Sequence, residues 1–219
     1  MNLPNYWLTR PEYDFAQHQG ILEETLRAAL EHGILTQTTI PKWAFLIWLT
    51  HVQNYLVHGT GNANIKTFEP RQSEDANWFG SQNAVYAASD GIWAMFYAIL
   101  DRPQIPMSIN NSAIQVQLQP PRDLYFFSVT DTAMQKRPFR TGWVYVLPKQ
   151  GFNQQPQDQS DGIQYQTHHW ASLNPVKPLF CIEIAPTDFP FLNQIRSHND
   201  KIIWKRVEKN PNGFPWLED

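Results

Sequence analysis

The chain contains little cysteine and few charged side chains. Cys181 is the single cysteine among 219 residues, so no intramolecular disulfide can form and a cysteine-rich zinc site is not supported. Charged residues make up 17% of the chain and the formal net charge is -3. A duplex-binding protein concentrates Lys and Arg on one surface to displace counterions, and this sequence shows no such concentration. Nucleic acid is therefore not expected as a partner.

Long apolar runs are also missing. The longest covers residues 43–50, far short of the roughly 20 residues that a membrane span needs. The first residues lack the basic segment and the apolar stretch of a secretory signal peptide. We expect a cytoplasmic protein without a membrane segment.

Aromatic side chains are abundant. They make up 14% of the chain, with nine Trp and thirteen Phe, which is enough to fill one sizeable core. We expect a single domain over residues 1–219. Its parts are an N-terminal helical layer at 1–54, a sheet core with one main helix at 55–205, and a tail at 206–219.

Apolar residues recur at helical spacing in several places. Gly33 supplies a stop for the first helix, and Pro41 suits the first turn of the second. Ser89 is expected to cap the third, because its hydroxyl can accept from the free amides of the first turn. The predicted helices cover residues 11–32, 41–53, 90–102 and 189–198.

Later segments rich in aromatic and β-branched residues predict strands. Between two of them, residues 151–162 are almost wholly polar and predict an exposed loop. Together with the helices, these strands indicate an α+β fold with a mostly antiparallel sheet. The predicted strands cover residues 109–118, 124–130, 143–149, 163–172, 179–185 and 202–204.

Two short motifs carry the functional hypothesis. Residues 55–61 read Tyr-Leu-Val-His-Gly-Thr-Gly, a buried strand that ends at His58, Gly59 and Thr60. Residues 84–98 place Tyr86 in a second strand, which passes through Ser89 into a helix. We expect the two strands to be neighbours, with the His58 and Tyr86 side chains facing one pocket. The alternative is that these residues have only structural roles. The histidine would then bond to backbone groups, the glycine would permit a turn, and the tyrosine would pack within the fold.

These motifs resemble the first two signature elements of the ADP-ribosyltransferase fold, His-Gly-Ser/Thr and Tyr-x-Ala before a helix. The resemblance covers about residues 55–190 and implies a split, mostly antiparallel sheet that binds NAD. It implies that His58 donates to a ribose hydroxyl, that the Gly59 backbone clamps the carboxamide, and that Tyr86 stacks on the nicotinamide ring. Thr60 and Ser89 would line the same cleft.

The third element of the resembled family is a glutamate, and here it is replaced. The best match is residues 167–184, which puts His169 at the glutamate position and Trp170 at the following tyrosine. A neutral imidazole can accept one hydrogen bond but supplies no full negative charge to an oxocarbenium-like transition state. Because the tRNA 2′-phosphotransferases of this fold use arginine there, reaction is not excluded. His58, Tyr86 and His169 are the candidate catalytic residues.

Two functions follow from these motifs. The first is binding of NAD or another nucleotide bearing ADP-ribose, with weak or divergent transfer to an unknown acceptor. The alternative is a catalytically silent binding or interaction module on the same fold. The basic cluster of Lys136, Arg137 and Arg140 is too small for a nucleic-acid track but sufficient for a single phosphate group.

Other titratable residues are interpreted more simply. His168 and His169 point to opposite faces of a strand, so at most one can join His58, and no metal is expected. Cys181 is expected to be a buried strand residue. Glu183, on its face, and Glu208 are the next carboxylates to consider if chemistry lies elsewhere.

Overall fold

The structure is a computed structural model that describes residues 4–73, 78–160, 162–211 and 213–217. The helices are α1 (Gln19–His32), α2 (Lys42–His51), α3 (Gly91–Ile99), α4 (Asp131–Met134) and α5 (Asp200–Lys209). The strands are β1 (Leu8–Thr9), β2 (Ile34–Leu35), β3 (Leu56–Thr60), β4 (Arg71–Gln72), β5 (Asn83–Ala88), β6 (Ile109–Val116), β7 (Arg122–Thr130), β8 (Gly142–Leu147), β9 (Asn153–Gln154), β10 (Asp158–Ser160), β11 (Ile163–Thr167), β12 (His169–Ser172), β13 (Phe180–Ile184) and β14 (Arg196–His198).

The strands form two sheets that are mostly antiparallel, which confirms the α+β class. One sheet has the order β1-β7-β6-β11-β10, and β14 pairs with β7. The other has the order β2-β13-β8-β3-β5-β12-β9, and β4 pairs with β5. Among the described pairs, only β13 with β2 and β14 with β7 are parallel.

Helices α2 and α3 lie in the main core, against one face of the second sheet. Ala44 to Thr50 are all buried, so α2 is apolar on every side and matches the prediction for 41–53. Helix α1 begins later than predicted and ends as expected. Gly33 has φ 73°, and its N–H donates to the Ala29 carbonyl oxygen.

The predicted cap of α3 is wrong. Asp90, not Ser89, is the N-cap: one carboxylate oxygen accepts from the Trp93 N–H at 2.8 Å. Ser89 extends the ladder between β5 and β12, since its N–H donates to the His168 carbonyl oxygen at 3.0 Å. The strand therefore continues one residue further than the capping pattern indicated, and Asp90 takes the capping position.

The single strand predicted over 163–172 is two strands in different sheets. Strand β11 pairs with β6, and β12 pairs with β5. His168 sits at the crossing, where its N–H donates to the Ala113 carbonyl oxygen at 3.2 Å. The alternation of side chains along this segment does not reveal a change of sheet, because both strands have the same period.

The C-terminal predictions need correction. Residues 189–198 form no α-helix; short 3₁₀ turns at Pro186–Asp188 and Leu192–Gln194 precede β14. Residues 202–204 are helical and belong to α5, which Asn199 caps by accepting from the Lys201 N–H at 3.0 Å. The irregular tail therefore starts after Lys209.

The segment 151–162 is largely exposed but carries β9 and β10, and Asp161 lies outside the described residues.

Candidate functional site

A cavity opens where β3 and β5 separate. The two strands pair only at Val57 and Ala88, so the neighbouring strands predicted for the two motifs are confirmed. The cavity has a volume of about 720 Å³, within the roughly 300–1,000 Å³ typical of small-molecule sites. Its walls include most of the predicted site, namely His58, Gly59, Thr60, Tyr86 and His169. They also include residues that were not predicted as part of the site: Trp93, Tyr97, Arg102 and Arg140.

The His58 ring is fixed through one of its nitrogens. Nδ1 lies 2.7 Å from the Tyr86 carbonyl oxygen, which can only accept, so Nδ1 carries the proton. Burial lowers the pKa of His58 below its ordinary value, and the Tyr86 carbonyl opposes that shift. In the resulting neutral ring Nε2 is an acceptor.

The His58 and Tyr86 side chains lie on opposite faces of the sheet, so the expectation that both face one pocket is wrong. Tyr86 and Ala88 are two residues apart on β5, so their side chains share a face. Ala88 pairs with Val57, which lies on that face as well. His58 is the next residue along β3, so its side chain points to the other face. The His58 ring packs against Phe68 on the opposite side, with 4.8 Å between ring centroids. Both residues are nevertheless among those that line the cavity.

Gly59 is required by packing. A Cβ on Gly59 would lie 1.8 Å from the carbonyl oxygen of Ala94 in α3, so any side chain would push the helix away from β3. The absence of a side chain also leaves the Gly59 backbone in the wall of the cavity. Thr60 lines the same wall, and its hydroxyl accepts from the Asn62 N–H at 3.3 Å.

Aromatic rings form the other wall. The His169 ring lies 5.0 Å from Tyr86, 5.3 Å from Phe79 and 5.6 Å from Trp93, measured between centroids. The Tyr86 hydroxyl accepts from the Gln82 N–H at 2.8 Å and lies 3.0 Å from the Phe79 carbonyl oxygen. Tyr86 thus anchors the turn before β5 through its hydroxyl and offers its ring to the cavity.

His169 is the first residue of β12 and lies beside β5. It pairs with Ala88 across the ladder and lines the cavity with His58 and Tyr86. Its Nδ1 lies 3.2 Å from the side-chain oxygen of Gln155. The carboxylates considered as substitutes, Glu183 on β13 and Glu208 on α5, are not among the lining residues. No Asp or Glu of the described chain lines this cavity.

Arg140 brings positive charge to the cavity. Its guanidinium nitrogen occupies space that a side chain on Gly61 would fill, at 1.6 Å from the ideal Cβ position. Its Nε lies 3.5 Å from a carboxylate oxygen of Asp101, and its backbone N–H donates to the Ile99 carbonyl oxygen at 2.8 Å. Arg102 lines the same region. The sequence marked Arg140 as able to meet a phosphate but carried no signal for Arg102.

Ser89 is not in the cavity lining, unlike the other predicted site residues. Its hydroxyl lies 3.1 Å from Nδ1 of His168, on the far side of the β5–β12 ladder from His169. Nε2 of His168 lies 3.2 Å from Asp123, which also forms an ion pair with Arg10 at 2.8 Å. His168 and His169 therefore point in opposite directions, as predicted.

This polar network is buried between the two sheets. Burial alone raises the pKa of Asp123, but the His168 hydrogen bond and the charges of His168, Arg10 and His51 outweigh it and lower the pKa to about 2. Asp90 is fully buried nearby and accepts from the Tyr125 hydroxyl at 2.6 Å. The network fixes the junctions that lead into α3 and β12, which carry Trp93 and His169.

Cys181 is buried, as predicted, and burial raises the pKa of its thiol. In the parts of the chain that the structure describes, no three His, Cys, Asp or Glu side chains are grouped so as to hold a metal ion. None of the described helices is long and apolar enough to cross a bilayer. No family model, no curated protein and no solved structure matches this chain.

Proposed function

We propose that the cavity binds NAD or another nucleotide bearing ADP-ribose. The observation that carries the proposal is the set of residues that line this one cavity: His58 to Thr60, the aromatic residues Tyr86 and Trp93, and the two arginines Arg102 and Arg140. A dinucleotide offers matching groups, since it has flat rings, ribose hydroxyls and a pyrophosphate. The resemblance of the two motifs to the ADP-ribosyltransferase fold adds support from the sequence.

The recognition chemistry follows from the groups in the walls. An aromatic ring can stack on a planar base or on nicotinamide. Arginine suits phosphate because its planar fork of donors matches two oxygens at once. The neutral His58 ring offers an acceptor to a ribose hydroxyl, and the Gly59 backbone can approach a carboxamide closely.

We propose that any ADP-ribose transfer is weak. Departure of nicotinamide leaves positive charge on the ribose, and a carboxylate placed nearby stabilises that charge. The described walls offer the His169 imidazole instead of a carboxylate. This favours a binding protein of low activity and agrees with the alternative of a catalytically silent module.

Thermal unfolding in the presence of NAD, ADP-ribose, AMP and free nicotinamide tests the proposal. NAD and ADP-ribose should raise the Tm most, because ligands that bind only the folded state stabilise it by mass action. AMP should raise the Tm less, and nicotinamide least. Parallel assays for released nicotinamide should show little hydrolysis. The proposal fails if none of the four compounds shifts the Tm at millimolar concentration.

A further inference from the structure

Ser89, His168 and Asp123 are joined in a row by side-chain hydrogen bonds. The Ser89 hydroxyl oxygen lies 3.1 Å from Nδ1 of His168, and Nε2 of the same ring lies 3.2 Å from a carboxylate oxygen of Asp123. The hydroxyl and the carboxylate thus contact different nitrogens of one imidazole. A histidine held in this way can act as general base toward a serine, because the carboxylate fixes both the ring and its tautomer.

The proton on the His168 ring is placed by its partners. The pKa of Asp123 is about 2, so at neutral pH this group is a carboxylate that can only accept. In the neutral ring Nε2 therefore carries the proton, and Nδ1 accepts from the Ser89 hydroxyl. Arg10 and Gln115 also donate to the Asp123 carboxylate, at 2.8 and 3.2 Å, and hold it in position. The Ser89 proton thus has an acceptor that is already aligned.

Ser89 lies at a junction between a strand and a helix. It follows Ala88, the last residue of β5, and α3 begins two residues later at Gly91. Residues 87–91 read Ala-Ala-Ser-Asp-Gly, which matches the Gly-x-Ser-x-Gly pattern of serine hydrolases except for the first glycine. In that pattern the serine occupies the turn from a strand into a helix, and the N–H of the next residue, here Asp90, donates to the oxyanion. The order along the chain, Ser then Asp then His, is also the same.

The exposure of the three residues suits a reactive serine. His168 and Asp123 are buried, with 6% and 8% of their surface exposed, whereas Ser89 is only half-buried. Shielding from water strengthens the hydrogen bonds of the base and the carboxylate. The half-buried hydroxyl suits a small acyl group better than a long chain.

We propose that Ser89 is a nucleophile with His168 as its general base, and that this site hydrolyses small carboxylic esters. Ser89 and His168 lie on the other side of the β5–β12 ladder from His169 and are not among the residues that line the NAD cavity. The proposed hydrolysis therefore does not depend on NAD binding.

The reaction needs only the ester and water. The Ser89 hydroxyl oxygen bonds to the ester carbonyl carbon, and its proton passes to Nδ1 of His168 and then to the leaving alcohol oxygen as the ester C–O bond breaks. Water next attacks the acyl carbon, one of its protons returns through Nδ1 to the Ser89 oxygen, and the carboxylic acid is released. The Asp123 carboxylate stays ionised and stabilises the imidazolium that forms in each step.

Hydrolysis of p-nitrophenyl acetate and labelling with a fluorophosphonate test this proposal. Fluorophosphonates modify serine hydroxyls that a base activates, and mass spectrometry of the peptides should locate the adduct on Ser89. Ser89→Ala should abolish the adduct and lower the rate of hydrolysis by about 100-fold or more, and His168→Gln should lower both. Thermal unfolding establishes which variants are folded. If His168→Gln does not fold, Ser89→Ala decides the test, since it removes a single oxygen atom.

Ser108→Ala is the matched control, because Ser108 also contacts a histidine. Its hydroxyl oxygen lies 3.0 Å from Nε2 of His198, but the Asp200 carboxylate lies 3.3 Å from that same nitrogen, so no relay crosses the ring. Ser108→Ala should hydrolyse the ester at the wild-type rate and keep the adduct on Ser89. Wild-type protein without an adduct on Ser89, wild-type rates in Ser89→Ala, or wild-type rates in folded His168→Gln overturn the proposal. These outcomes are the same whether or not NAD binds.

Discussion

Nδ1 of His58 lies 2.7 Å from the carbonyl oxygen of Tyr86, so the two motifs of the site are joined through a side chain and a backbone group. The bond crosses the gap where β3 and β5 cease to pair. It fixes the orientation of the imidazole and its neutral tautomer, and so decides that Nε2 accepts. The histidine is therefore both a structural link and a candidate ligand contact.

The first prediction concerns this link. His58→Ala leaves the Tyr86 carbonyl oxygen without its partner, which should lower the free energy of unfolding by about 1–3 kcal/mol. His58→Asn can restore a donor near the carbonyl, so it should recover part of the loss. Urea unfolding measures both. Equal stability of His58→Ala and wild type would show that water replaces the imidazole at no cost.

The second prediction separates the Tyr86 ring from its hydroxyl. Tyr86→Phe removes the bonds to the 79–82 turn, so it should reduce stability and leave NAD affinity nearly unchanged. Tyr86→Ala removes the ring as well and should weaken NAD binding by roughly 1–3 kcal/mol. Calorimetric titration of both variants measures the difference. If the two variants bind NAD equally, the ring makes no contact with the ligand.

The third prediction concerns His169 and catalysis. His169→Glu should increase NAD hydrolysis with little change in NAD affinity, because a carboxylate acts mainly where positive charge develops in the transition state. His169→Gln is the control, since it has similar size without charge. Release of nicotinamide is measured. Strong wild-type transferase activity that survives His169→Ala would place the chemistry at other residues.

The fourth prediction is a pH dependence from Asp123. Its pKa is about 2 in the folded protein, against 3.8 for an unperturbed group, so the unfolded state binds more protons between these values. Its contribution, about 2 kcal/mol, is present above pH 3.8 and is lost as the pH falls toward 2. Asp123→Asn should destabilise the protein at pH 7 and flatten its acid unfolding profile.

Glu12→Gln, at an exposed carboxylate, is the control for that experiment. It should leave both the stability at pH 7 and the acid profile close to those of wild type, because exposed charges contribute little to stability. An Asp123→Asn protein as stable as this control would show that Asp123 contributes no net stability through its ion pairs.

Local patterns predicted much of the fold. The apolar run in α2 and the strand ending at His58 depend on nearby residues only, and both were predictable. The passage from β11 to β12 was not, because alternation continues unbroken while the chain changes sheet at His168. The cap of α3 was also missed, since Ser89 and Asp90 are both good caps and only the β5–β12 ladder decides between them.

The candidate site, like the fold, was predictable from the sequence only in part. His58, Gly59, Thr60, Tyr86 and His169 were predicted from two motifs and one alignment, and all of them line the cavity. The face of each side chain was not predictable, because it depends on the register between β3 and β5. Trp93 in α3 and Arg102, three residues after the end of α3, were not singled out by the motifs, and the packing of α3 against the sheet brings Trp93 to the cavity.

The most direct test of the account is calorimetric titration of NAD into wild type, Arg140→Met and Arg122→Met. Arg140 lines the cavity, whereas Arg122 is exposed on β7, so the two variants lose the same charge at different places. We predict that wild type and Arg122→Met bind NAD with the same Kd, and that Arg140→Met binds about tenfold more weakly through loss of a phosphate contact. No binding to wild type at millimolar NAD, or one Kd for all three proteins, would contradict the account.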